Sequence, residues 1–280
     1  MSILQLLSHR VPLNIAHRGA RSLAPENTLA AALKAFETGA PIWELDVAMT
    51  RDGRLLVIHD TTLQRTSNVE TVFPRRRPWN VRDFSLEEIR RLDFGSWFME
   101  EDPFHQIRAG AISAAEQESF RGLAAPTLGE ALELTRQHGR CVNVEIKDLS
   151  GTSGHRRIVP EVLSLIDAMG MKENVIVSSF NQDYLAEARG LDSEILLGVL
   201  TNRSLRHPLD TLRRLGALSY HPKISSVDRQ EVGLLRKEGF HVMVWVANDS
   251  ETFRHWIHEG VSGIFTDFPQ NLATLLKEVS

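Results

Sequence analysis

The sequence predicts an α/β protein: a closed (β/α)8 barrel with one β-hairpin excursion and a small insertion after the second strand. Three observations lead there. Short β-rich runs alternate with amphipathic helical patterns along most of the 280 residues, the pattern of βα units around a parallel sheet. The length suits one barrel spanning 1–280 as a single unit. One further β-rich run follows its predecessor too closely for a parallel crossover, which sets it apart as a hairpin arm.

The elements follow in order. PLNIA (12–16) leads to a helix within PENTLAAALKAFETG (25–39), where apolar residues recur at helical spacing and Gly39 marks the stop. IWELDV (42–47) is the second strand. LLVIH (55–59) comes after only a short polar turn, so it returns antiparallel with its turn near Asp52-Gly53. Taking those two residues as the loop pairs Arg51 with Arg54 and sets Asp46 opposite His59; a one-residue shift of the turn would move that partner, so the expectation is that His59 lies near Glu44 and Asp46. Then come VNVEI (142–146), NVIVSS (174–179), EILLGVL (194–200), ALSY (217–220), HVMVWV (241–246) and GIFT (263–266). Helical patterns separate them at 159–170, 182–190, 226–239 and 249–260. Without the hairpin arm the strands number eight. Residues 61–126 fit neither pattern. They carry PRRRPW, a helix at SLEEIRRL and aromatics including Trp79, Phe84, Trp97, Phe98 and Phe104, and read as an insertion at the barrel mouth.

Composition narrows the function. A 42% hydrophobic, 24% charged chain can build a sizeable core, and a formal net charge of −4 argues against a nucleic-acid binder working through bulk positive field. The one cysteine, Cys141, reads as a buried thiol. We read no signal peptide at the N-terminus and no transmembrane segment, so the expected location is cytoplasmic.

Polar residues punctuate the C-terminal ends of otherwise apolar strands: His17-Arg18, Glu44 with Asp46, His59-Asp60, and Glu145 with Lys147. In a barrel these ends converge on one mouth. Residues two apart on a strand share a face, so Glu44 and Asp46 point together, as do Glu145 and Lys147. Taken singly, each is more often a hydrogen-bonded histidine or an ordinary ion pair; occurring jointly at strand ends, they read as a site. Three crowded carboxylates must be protonated or neutralised by a metal. Oxygen-only ligands favour a hard divalent ion, Mg2+ or Ca2+. His17 and His59, left off the metal, suit general acid and base roles. Arg18 and Lys147 would hold an anion, most simply a phosphate.

These residues fall within a larger set of motifs: HRG (17–19), PENT (25–28), ELDV (44–47), TRDG and VIHD (50–60), LQRT (63–66), then RLDFGSWF, VEIK, SSF, WVAND and GIFTDFP. In this order, over nearly the whole chain, the sequence resembles the glycerophosphodiester phosphodiesterase family. The resemblance implies a (β/α)8 TIM barrel with an insertion after the HD motif. It implies Glu44, Asp46 and Glu145 as metal ligands, His17 and His59 as the acid/base pair, Arg18 and Lys147 as phosphate contacts, and Trp245 as an apolar wall for the glycerol backbone. The implied reaction converts a small-molecule glycerophosphodiester into sn-glycerol 3-phosphate and an alcohol. Lysophospholipase D action, with the insertion aromatics forming an acyl channel, is a second reading. A non-catalytic phosphodiester-binding protein is a third. The sequence departs from the family pattern at SNVET (67–71), at WVAN in place of the commoner WTVN, and in the glycine-interrupted loop after Lys147. His155, His255 and His258 read as surface residues.

Overall fold

Nine strands form the sheet in the computed structural model, which describes residues 1–9 and 11–279: β1 (Leu13–Ala16), β2 (Ile42–Met49), β3 (Leu55–Val57), β4 (Cys141–Ile146), β5 (Val175–Ser179), β6 (Leu196–Thr201), β7 (Ser219–Pro222), β8 (His241–Val244) and β9 (Gly263–Thr266). Every strand except β3 runs parallel to its neighbours, and β1 pairs with both β9 and β2, closing an eight-stranded barrel with helices between the strands. Among the described residues no helix is long and apolar enough to cross a membrane.

Strand alternation sorts the side chains into two environments. Trp43, Leu45 and Val47 of β2, with Val142, Val144 and Ile146 of β4, join the apolar layer under the surrounding helices. The helix Leu29–Glu37 packs there through Ala32, Ala35 and Phe36, and Thr28 caps it by accepting a hydrogen bond from the Ala31 N–H. The intervening residues of β2 and β4, namely Ile42, Glu44, Asp46, Cys141, Asn143 and Glu145, turn to the barrel interior.

That interior is layered. Its floor is apolar: Ile15, Ile42, Cys141, Ile176, Met243 and Phe265 pack with Ile3 and Leu6 of a helix over Ile3–Leu7. The run MSILQLL therefore closes the barrel from below. Five residues are too few to hold a helix alone; Ser2 and Gln5 cap it reciprocally, and burial of Ile3 and Leu6 supplies the rest. Cys141 is buried and unpaired, as expected. Higher up, the His221 ring lies over Gly198, where a Cβ would sit only 2.4 Å from it. The acidic residues form the top layer.

The hairpin register differs by one residue from that of a two-residue loop, while His59 lies near Glu44 as expected. Val47 pairs with Val57 and Met49 with Leu55, so the loop is Arg51-Asp52-Gly53, and Ile58, not His59, donates its N–H to the Asp46 carbonyl. Thr50 sets this loop length: its hydroxyl accepts from the Arg54 N–H and donates to Asp52 Oδ1, while Gly53 takes the positive φ that a three-residue hairpin loop needs. β1 pairs only with the lower part of β2, at Ile42 and Trp43. The edge of β2 above it is the part that β3 occupies, and this carries His59 to the mouth.

Between β3 and β4 the chain forms short helices over Val69–Val72, Leu86–Ile89, Ser96–Glu101 and Ala114–Ser119. Trp79 and Phe84 are buried in one satellite core with Leu56, Ile58 and Leu63, and Phe98 in another with Ala24, Ala31 and Phe120. Trp97 and Phe104 pack against the second; Phe104 also stacks edge-on to Phe268. These rings serve as cores of the segment. Replacing Ile3 by Ala should lower stability by about 2–5 kcal/mol through the cavity left in the barrel floor. A denaturant midpoint unchanged from wild type would show that the floor does not need this plug.

Candidate active site

The register between β2 and β4 builds the acidic cluster. Asp46 lies beside Glu145 and Glu44 beside Asn143, at the spacing of hydrogen-bonded neighbours, about 4.8 Å. Glu44, Asp46 and Glu145 are all buried, and each offers a carboxylate oxygen within 4.8 Å of the others. Strand pleating thus brings together three negative groups that water would keep apart.

Their surroundings treat them unequally. Burial, then repulsion from Asp46 and Glu145, pushes the Glu44 carboxyl well above its ordinary range. Burial and the Asp46 charge likewise raise Glu145. Burial acts the same way on Asp46, but the charges of Lys147 and Arg18 outweigh it and hold Asp46 below the usual carboxylate range. The Lys147 ammonium donates to Glu145 Oε1 at 2.6 Å and to Asp46 Oδ1 at 3.2 Å. Arg18 donates its backbone N–H to Glu44 Oε2 at 2.8 Å and brings its Nε to 3.4 Å from Asp46 Oδ2. Asn27 completes the setting with its amide on Asp46 Oδ2 at 2.8 Å. Arg18 reaches this position because it adopts a positive φ of 55° ahead of Gly19, itself at φ 82°, where a Cβ would strike the Ala31 backbone.

Two histidines flank the cluster, each with Nδ1 held by a carboxylate at 2.7 Å: His17 on Asp267 and His59 on Asp60. Nε2 of each ring is therefore the nitrogen left for other partners. Burial, reinforced by the Arg18 charge, lowers the His17 pKa and favours the neutral ring. Asp267 is held at about 2, burial being outweighed by the His17 hydrogen bond, with further hydrogen bonding from Asn248.

Glu26 joins the two halves. It receives Arg18 at 2.9 Å, Arg21 at 2.9 Å and Arg65 at 2.7 Å. Arg65 continues to Asp60 at 2.7 Å, and Arg21 to Asp267 at 3.6 Å. One buried carboxylate thus links both histidine–aspartate pairs through arginines. Glu26 and Asn27 belong to PENT and Asp267 to GIFTDFP, so the motifs contained them, yet sequence reasoning gave them no part. Asp267 meets His17 from the far end of the chain, and Glu26 meets Arg18 and Arg21 across an irregular turn whose path no strand or helix period reveals.

His17, Arg18, Glu44, His59, Glu145, Lys147 and Trp245 all line one cavity of about 130 Å³, with Asn143, Phe180, Leu200 and Phe265. Asp46 lies beneath it. Trp245 meets Phe180 edge-on at 5.7 Å, giving the cavity an apolar side opposite its charged one. The three carboxylates suit a divalent cation: the donors are all oxygen, two have raised pKa values that such a charge would relieve, and among the described residues the buried Asn143 Oδ1 has no hydrogen-bond partner. His255 and His258 lie exposed on the outer helix Ser250–His258, as expected. His155 does not stay at the surface; it is half-buried with Nδ1 on the Tyr184 hydroxyl at 2.8 Å, because the loop after Lys147 folds back against Tyr184.

The C-terminal mouth of the barrel thus gathers buried carboxylates, two oriented histidines and two cations around one cavity. The chain belongs to the glycerophosphoryl diester phosphodiesterase family, whose model matches residues 17–271, and is accordingly a phosphoric diester hydrolase. It is 36% identical to a glycerophosphodiester phosphodiesterase of Caldanaerobacter subterraneus, over 95% of this chain and 98% of that one. It is 33% identical to one of Bacillus altitudinis over 94% and 98%. Its fold matches an Oleispira antarctica phosphodiesterase in complex with the product sn-glycerol-3-phosphate, with a TM-score of 0.81 at 26% identity over 95% and 97%. An Agrobacterium tumefaciens glycerophosphodiester phosphodiesterase matches with a TM-score of 0.71 at 25% identity, over 94% and 99%.

Replacing Glu26 by Ala removes the carboxylate that Arg18, Arg21 and Arg65 share, leaving the buried Arg18 guanidinium only its longer contact with Asp46, and should cost about 3 kcal/mol in denaturant unfolding. Glu26 is held at about 2 against an ordinary 4.5: burial pushes it up, but the arginines outweigh that. A depressed carboxylate stabilises the fold fully above its unfolded pKa, and that contribution disappears as pH falls through the folded value. Stability of the wild type should therefore drop between about pH 4.5 and 2, with a shallower drop in Glu26→Gln. Equal slopes in the two proteins would remove Glu26 from this role.

Proposed function

We propose that the protein hydrolyses glycerophosphodiesters to sn-glycerol 3-phosphate and an alcohol, with a divalent cation at Glu44, Asp46 and Glu145 and with His17 and His59 as proton carriers. The observation that carries this reading is the set of three converging carboxylates under a cavity that both histidines line. The family membership and the product named for the Oleispira antarctica relative support the substrate class.

The residues divide the work by chemistry. One histidine accepts the proton of the attacking hydroxyl, whether the substrate's own 2-hydroxyl or water, and the other protonates the departing alkoxide. Asp267 and Asp60 hold each Nδ1, fixing tautomer and ring direction so that Nε2 does the transfer. Arg18 and Lys147 supply fixed positive charge to the phosphate, as side chains lining the cavity. Trp245 with Phe180 gives the glycerol backbone an apolar wall. Mg2+ or Ca2+, when bound, supplies a concentrated charge that offsets the phosphate's and lowers the pKa of a hydroxyl. The insertion aromatics are committed to satellite cores, which speaks against an acyl channel and against lysophospholipase D action. We also infer a cytoplasmic location. In domain terms we take 1–280 as one barrel unit with 61–126 as its insertion.

His17→Ala and His59→Ala should each reduce turnover by about 10²–10⁴-fold, measured as glycerol 3-phosphate released from a panel of glycerophosphodiesters. Near-full activity in both folded variants would rule out the acid–base pair. EDTA should abolish turnover. Metal should also raise the melting temperature, and more so at pH 8 than at pH 5. In the metal-free fold the raised Glu44 and Glu145 carboxyls make a contribution that is full below about pH 4.5 and is lost as pH rises through their folded values, and a cation restores what their ionisation removes. A melting increment independent of pH would count against these ligands.

A further inference from the structure

A second cavity, of about 240 Å³, adjoins the first and shares His59 and Lys147 with it. Its remaining walls come from the hairpin end, the segment around Asn80 and the loop after Lys147. The two cavities therefore meet at the pair that would contact a phosphate. A phosphodiester carries two substituents on one phosphorus, and two cavities divided in this way provide for both.

The cavities differ in chemistry. The first has the rings of Phe180, Trp245 and Phe265; the second has no Phe, Tyr or Trp among its lining residues. Four of its side chains, Thr61, Arg82, Asp148 and Ser153, have polar atoms not engaged elsewhere. Among the described residues, the Thr61 and Ser153 hydroxyls and the Arg82 guanidinium make no hydrogen bond or ion pair. Asp148 uses only Oδ1, towards Ser150 and Asn181.

We propose that this second cavity is the leaving-group site and that it selects a neutral polyhydroxy alcohol, such as glycerol or a cyclitol, over a quaternary ammonium alcohol. The proposal rests on the phosphodiesterase reading above. A quaternary ammonium is held by the faces of Phe, Tyr and Trp rings, which this cavity lacks, and it would meet the positive charges of Arg82 and Lys147. A hydroxyl both donates and accepts, so neighbouring hydroxyls can use the Arg82 donors and the free Asp148 oxygen together. The Thr61 and Ser153 hydroxyls extend the same kind of surface. Two carboxylates line this cavity, but Asp60 is engaged by His59 and Arg65, and Asp148, without an aromatic partner and with Arg82 on the same cavity, is better matched to hydroxyl donors than to a cation.

The test compares kcat/KM for glycerophosphoglycerol and glycerophosphocholine in wild type, Arg82→Ala and Asp148→Asn, with saturating Mg2+ or Ca2+. Wild type should favour the polyol diester by about tenfold or more, and each variant should narrow that ratio about tenfold, through KM. Arg82 is exposed and unpartnered, so its variant should keep the wild-type circular dichroism and melting temperature. A wild-type preference for the choline diester overturns the proposal, as does a proportional loss on both substrates in Arg82→Ala. Phe180→Ala, on the other side of the shared pair, should lower both substrates in proportion and leave the ratio intact. No glycerol 3-phosphate from either diester in wild type would overturn the phosphodiesterase reading itself, and this inference with it.

Discussion

Carboxylates buried side by side at the top of the barrel impose the constraint to which the rest of the mouth responds. Asp46 and Glu145 are register partners on adjacent strands, and Glu44 lies one pleat lower on the same face. Their repulsion in a low-dielectric setting has to be offset locally, and the offset comes from Lys147 and Arg18. Those cations then require their own partners. Arg18 turns its guanidinium to Glu26, Glu26 takes on Arg21 and Arg65, and the arginines reach the aspartates that hold the histidines. The acid–base groups are thus oriented by an ion network that begins at the acidic cluster.

Networks of this kind are costly to half-complete. A buried ion pair is close to neutral for stability when intact and strongly destabilising when one partner is removed. The stability of the mouth thereby depends on the same residues as its chemistry. The lower barrel has no such conflict: its floor is apolar and closed by the helix Ile3–Leu7. Structural burden sits below and functional charge above, the usual division in a barrel.

The hairpin shows how a local irregularity serves the site. Because β1 is short, part of the β2 edge is free near the mouth, and β3 pairs along it in the antiparallel sense that a three-residue loop permits. His59 then leaves the end of β3 facing both cavities. The satellite cores around Trp79, Phe84 and Phe98 hold this excursion against the barrel, and the segment between β3 and β4 contributes Asn80, Val81 and Arg82 to the second cavity.

What the sequence alone determined follows from short-range periodicity. Parallel strands buried on both faces read as apolar runs, so β1, β2 and β4 to β9 were visible, and a polar residue in such a run stands out. Period-two spacing put Glu44 with Asp46 and Glu145 with Lys147, and the strand-end rule gathered them with His17 and His59. Tertiary structure decided the rest, because those relations depend on packing between distant segments or on a single side chain. Thr50 closed a three-residue turn and moved the hairpin register by one. Ile3 and Leu6 became a helix only on the barrel floor. Lys147 settled between two carboxylates because the register of β2 and β4 left them adjacent. Asp267 acquired His17 and Arg21 only when closure of the barrel brought β9 beside β1, a juxtaposition that no periodicity within either segment encodes.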